Sequence, residues 1–173
     1  VSFGTLPAGY TLGRLDDSLA WHLCEPTPGA PNEPAVAAPV RDLALNEWLA
    51  NPPPGADDWL ELHNLNTSAP VPLRGLSLST SNAAFTLGIH SFVPPSGFVV
   101  LTAHPRPGLN RAGLRLPAAG GLIALHHDAG SELDRVIYPA MPEGLSHGRL
   151  PDGTGQPLAF PNTASPGASN YVL

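Results

Sequence analysis

The chain reads as short apolar runs cut by turn residues. LALNEWLA, from position 43, alternates, and simple alternation sets Leu43, Leu45 and Glu47 on one face and Ala44, Asn46 and Trp48 on the other. After the turn PPPGADD, WLELHN alternates again, with Leu60 and Leu62 opposed to Trp59, Glu61 and His63. LRGLSLST predicts a third strand, with Leu73, Gly75, Leu76 and Leu78 toward a core. FTLGIH and SGFVVLTAH predict two more, parted by the turn Pro94-Pro95-Ser96-Gly97. LIALHH and ELDRVIY form a predicted hairpin about Asp128-Ala129-Gly130-Ser131, because a tight antiparallel connection needs such residues. LSHGRL is the last predicted strand, and PDGTG turns after it. No stretch carries a helical stripe. Roughly seven or eight short strands at regular spacing point to an all-β antiparallel sandwich or barrel. Strand order does not follow from this pattern.

A long-range repetition overlies these strands. VSFGTLPAGYTLGRLDD, at the start, aligns without a gap on VIYPAMPEGLSHGRLPD, from position 136. Val1, Pro7, Gly9, Gly13, Arg14, Leu15 and Asp17 fall on Val136, Pro142, Gly144, Gly148, Arg149, Leu150 and Asp152. TPGAPN, from position 27, returns as SPGASN, from position 165. A period of this length is a whole domain. Residues 1–32 are therefore expected to be the end of an upstream repeat, 33–41 a Pro/Ala-rich linker and 42–173 a complete domain. The linker belongs to the Pro-rich stretch Glu25 to Val40, which is expected to be extended and semi-rigid. The first residue is Val, which suits a piece of a longer chain. Val1 to Leu15 is expected to lie as an added strand or hairpin on this domain or a neighbouring molecule, a route to strand exchange through residues 1–15.

Composition narrows the chemistry. All eight cationic residues are Arg, so no Schiff-base or phosphate-loop lysine exists. The net charge of −6 opposes non-specific binding to nucleic acid, which depends on phosphate neutralisation. Cys24 is the sole cysteine, which excludes an intrachain disulfide and a thiolate metal cluster. No apolar run has the length of a bilayer.

The motifs, in order, resemble the lamin-tail domain family of the bacterial kind. Glu47 ends the opening strand; Asp58, Trp59, Glu61, Leu62 and Asn64 match the second motif, and Leu73 and Gly75 the third. VPPSGFVVLTAH, GLIALHHDAGSELDRVIYP, HGRLPDG with Gly148 and Arg149, and SPGASN follow in the family's sequence. His63 and Leu76 depart from the aromatic and Trp common there. The resemblance spans about residues 42–170 and implies an immunoglobulin-like β-sandwich without catalysis or cofactor. It also implies a tandem setting in secreted or cell-surface bacterial proteins, often beside hydrolase or nuclease domains. The expected role is adhesion, spacing or protein interaction, with neighbouring domains of the same chain, or a protein or glycan ligand, as partners.

The remaining candidates carry structural alternatives. Asp57, Asp58 and Asp128 could supply oxygens to calcium, which takes six to eight. The calcium- or carbohydrate-binding module this suggests is the alternative function. His126 and His127, adjacent on a strand, point to opposite faces, an awkward arrangement for one ion. Glu47 and Glu61 on neighbouring strands could be imagined as a glycosidase pair, but a hydrogen-bonded structural network is the favoured reading. Arg14 and Arg149 are each followed three residues on by an Asp, as expected for a guanidinium that pins a turn.

Overall fold

Short apolar runs set between Gly and Pro turns favour extended segments over helices. A computed structural model describes residues 1–15, 19–104, 106, 108, 111–128 and 130–173. Asp17 of the repeat and Ala129 of the predicted turn lie outside the described residues. The strands are β1 (Thr11–Gly13), β2 (His22–Glu25), β3 (Glu33–Pro34), β4 (Leu43–Leu49), β5 (Asp58–Asn64), β6 (Val71–Pro72), β7 (Leu76–Thr80) and β8 (Ala84–Thr86). They continue with β9 (Phe92–Val93), β10 (Phe98–Ala103), β11 (Arg111–Ala112), β12 (Gly121–His127), β13 (Glu132–Tyr138), β14 (Ser146–Leu150) and β15 (Gln156–Phe160). A single 3-10 turn, Val40–Asp42, is the one helical element among the described residues.

The protein is all-β. A six-stranded sheet, in the order β11-β10-β5-β4-β14-β15, faces a four-stranded sheet, β13-β12-β7-β8. All pairings in both are antiparallel except β10 with β11. Leu43, Leu45, Trp48, Leu60, Leu62 and Leu101 from the first meet Leu76, Leu78, Ile123, Leu125, Val136 and Tyr138 from the second in one core. Burying such side chains is worth about 1.5–3 kcal/mol each, which makes this core the main source of stability. β6 and β9 pair at one end of the sandwich.

Three expectations need correction. In β4 the register shifts between Leu45 and Glu47. The extra residue, Asn46, is a β-bulge, and it reverses the alternation. Trp48 therefore joins Leu43 and Leu45 in the core, and Glu47 turns to the outer face opposite Glu61. The third strand begins at Leu76, not Leu73, because Gly75, at φ +79°, forms the turn that precedes it. Finally, β15 follows the PDGTG turn, although Pro157 argues against a strand; β15 is the sheet edge, where proline costs no ladder bond.

Ahead of the sandwich, β1, β2 and β3 form their own three-stranded sheet, in that order. Glu33–Pro34, expected within the linker, pairs with β2. Its first hairpin copies β14–β15. Thr11 opposes Cys24 and Gly13 opposes His22, as Ser146 opposes Phe160 and Gly148 opposes Leu158. Tyr10 N–H donates to Pro7 O at 3.3 Å, and Leu145 N–H to Pro142 O at 3.3 Å. Asn32 Nδ2 donates to Arg14 O at 2.9 Å, as Asn170 Nδ2 does to Arg149 O at 2.8 Å. The two segments are alike in sequence, register and local hydrogen bonding.

Candidate functional site

Glu47 and Glu61 of the motif meet on the outer face of the six-stranded sheet. Direct pairing of β4 with β5 sets Glu47 opposite Glu61, and both are fully buried. Residues 163–170 cover them. Ser165 N–H reaches Glu47 Oε2 at 3.1 Å and its hydroxyl reaches the same oxygen at 3.3 Å. Gly167 N–H donates to Glu61 Oε2, and Asn46 Nδ2 donates to Glu61 Oε1 at 2.9 Å and to Asp152 Oδ1 at 3.1 Å. Asn170 N–H also donates to Asp152 Oδ1, at 3.0 Å, and Gly153 N–H closes the set on Asn46 Oδ1 at 2.8 Å. The bulge at Asn46 thus aims one amide at two carboxylates.

Three carboxylates in so small a volume disfavour full ionisation. Burial pushes the Glu61 carboxyl up to about 7, assisted by the charges of Glu47 and Asp152 and opposed by the Asn46 and Gly167 donors. Burial likewise raises Glu47, against the Ser165 donors. The pair is the hydrogen-bonded network favoured from the sequence. Oxygens of both carboxylates meet donors of the carboxy-terminal segment, Ser165 and Gly167.

Gly148 and Arg149 complete the cluster. Gly148 lies opposite Glu47 in the β14–β4 ladder. A Cβ there would come within 2.7 Å of Asn46 O and 2.8 Å of Asn170 Nδ2, so only glycine permits this approach. Arg149 grips Asp134 of the other sheet through two bonds, 2.6 and 2.8 Å, and donates to Gly153 O at 3.1 Å. Asp134 Oδ2 also accepts Leu45 N–H at 2.8 Å beside the bulge. Arg149 pins the 151–155 turn and fastens the two sheets. In the matching amino-terminal segment Arg14 instead lies over the Trp21 ring, 5.0 Å from its centroid.

The other motif residues shape loops. Asn64 Nδ2 donates to Ala69 O, Val93 O and Pro94 O at 2.9–3.2 Å, while its Oδ1 accepts Asn66 N–H at 2.9 Å. Trp59 is half-buried, opposite Leu49 and Thr102. His63 stacks on Phe98 with centroids 4.4 Å apart, filling the aromatic position it occupies.

The calcium candidates do not converge. Asp58 Oδ2 accepts Leu116 N–H at 2.9 Å, and burial raises its carboxyl despite that bond. Asp57 is exposed beside it. Asp128 packs over Gly75, where any side chain would strike its carboxylate. It adjoins the Leu76 end of β7, whereas Asp58 shares a pocket with Thr80 at the other end. The length of a strand separates them. Among the described residues no three His, Cys, Asp or Glu side chains are grouped to hold a metal ion. His126 Nε2 meets Ser79 Oγ at 2.9 Å. An open groove of about 630 Å³ beside Arg149 is lined by Arg41, Asp134, Arg135, Ile137 and Gln156 among others.

Asn46, Asp134, Asp152, Ser165 and Asn170 escaped the sequence reading as members of the cluster. The recurrence of Asn in TPGAPN and SPGASN was the available signal for Asn170. Comparison with protein-family models, with curated proteins and with solved structures returned no match.

Proposed function

We propose that the chain is a non-catalytic, immunoglobulin-like module of the lamin-tail kind within a larger secreted or cell-surface bacterial protein. Its role is adhesion, spacing or protein interaction beside other domains. The observation that carries this reading is how the motif's ionisable groups are used. Glu47, Glu61, Asp134 and Arg149 hold a bulge, a turn and the carboxy-terminal segment together, and their hydrogen-bonding positions face protein donors and acceptors. The copy of the β14–β15 hairpin at the start of the chain supports a tandem setting.

The test is direct. The purified chain is assayed on nucleic acid, phosphomonoester and glycoside substrates beside its E61Q variant. No turnover above the variant is expected, and activity abolished by one substitution overturns the reading. Thermal melts with calcium, EDTA and soluble glycans test the binding alternative, since a ligand of the native state raises the midpoint. No shift is expected; a reproducible rise would replace the spacer role with a binding one.

A further inference from the structure

Residues 1–35 are strapped to one end of the sandwich by main-chain bonds. Gly4 N–H donates to His90 O at 3.2 Å, and Phe92 N–H donates to Thr5 O at 2.9 Å. β3 lies on β2, Ala35 N–H donates to Leu23 O at 3.0 Å, and Ala38 N–H then donates to Pro70 O at 2.9 Å. Trp21 lines a shallow pocket with Ile89 and Phe92. The end of one repeat is thus seated on the head of the next, around Pro70 and residues 89–92.

The β14–β15 edge of residues 36–173 is built from related parts. β14–β15 stands for β1–β2, Ala140 for Thr5, and Tyr171 to Leu173 for Glu33 to Ala35. This edge is bare. β15 is the last strand of its sheet, and its Leu158 is 46% exposed; Tyr171 is 49% and Val172 58% exposed. We propose that this edge is a docking face for the head of a second sandwich of the same kind, so that successive units stack head to edge. The occupant follows from the interface already present: the loop 89–92 sits here on residues 4–5 and Trp21, beside a hairpin whose register and turn hydrogen bonds β14–β15 repeats. Most of the straps are main-chain bonds, which tolerate the change from Leu23 to Ala159 and from Trp21 to Pro157. One bond does not carry over, because Pro139 replaces Gly4 and has no N–H. A contact between two different faces is heterologous, so each unit can carry the next. Within a single chain the head is already covered by residues 1–35, so the chain alone stays monomeric.

This inference rests on the tandem reading above, and its test separates the two. The whole chain is extended by joining Leu173 to Val36 of a second copy, which preserves the 138-residue spacing of the Pro-Gly-Ala triplets at 28 and 166. The added copy contains every residue of the core cluster, Ala38 through Met141. Backbone relaxation and amide exchange are then measured by NMR. Stacking predicts that both sandwiches tumble as one body and that Phe92 N–H of each is protected to within about tenfold of the other. Replacing Leu158 and Val172 of the first unit by Asp should free the second unit while leaving the melting of each sandwich unchanged. Independent tumbling, with the second Phe92 N–H exchanging about 100-fold or more faster than the first, overturns stacking. That result leaves the spacer role intact, since flexible beads also separate domains. Unchanged tumbling in the double-Asp variant would equally reject the assigned face.

Discussion

Gly148 shows how a single atom can be excluded. Its neighbours on the approach side are the main-chain oxygen of Asn46, the Asn170 amide and Glu47 Cγ, and the first of these belongs to a bulged strand that is fixed on both sides. The missing side chain is therefore a steric requirement and has nothing to do with turn conformation. Gly148→Ala should cost about 1–3 kcal/mol, the range for overpacking a tight interior. Urea denaturation checks it: the midpoint should fall at constant slope, and an unchanged midpoint would mean that β4 and β14 can part without loss. Gly13 meets Asn32 in the same way, which explains why the residue recurs in both copies.

At the scale of elements, the segment 163–170 acts as a lid on the β4–β5 pair. Its Ser165 and Gly167 amides bond the carboxylates, and in covering them it also keeps water out. The consequence is a pH dependence with a defined sign. Burial pushes the folded Glu61 carboxyl up to about 7 from its ordinary 4.5, so between those limits the folded state binds more protons than the unfolded state. Stability from this group is fully present below about 4.5 and is lost as the pH rises through about 7. Glu47, raised by the same burial, acts in the same direction. The melting midpoint should therefore rise as the pH is lowered from 8 to 5.5. Removal of residues 163–173 should lower the midpoint and flatten this slope, because the exposed carboxylates regain ordinary values. A slope that survives the truncation would place the responsible groups elsewhere.

Across the whole molecule, the core cluster draws on residues 38–141 and, among the described residues, takes none from the segment before Ala38. The hairpin β1–β2 has its own small buried centre in Leu23 and Cys24. A chain of residues 33–173 should therefore fold with the same near-ultraviolet circular dichroism and melt within a few degrees of the complete chain, since about 1 kcal/mol moves a domain of this size by roughly 2–8 °C. A chain that fails to fold without residues 1–32 would show that the hairpin belongs to the sandwich and is not a separate copy. The outcome bears on the stacking proposal as well, because the added unit there begins at Val36.

Alternation and turn chemistry determined the all-β class, the hairpin of β12 and β13, and the core faces of β5 and β7. These are properties of neighbouring residues, and burial of one strand face leaves a period of two. The internal repetition was also present in the sequence, and the matched hairpins follow from it. Asn46 marks the limit. Its bulge is invisible in LALNEWLA because a bulge is set by pairing with β5 and β14, and that pairing decided which of Glu47 and Trp48 entered the core. The carboxylate cluster likewise draws on positions near 46, 61, 152, 165 and 170, which only the tertiary fold brings together. Local pattern fixes what a strand can bury, whereas hydrogen bonds between distant segments fix which residue meets which.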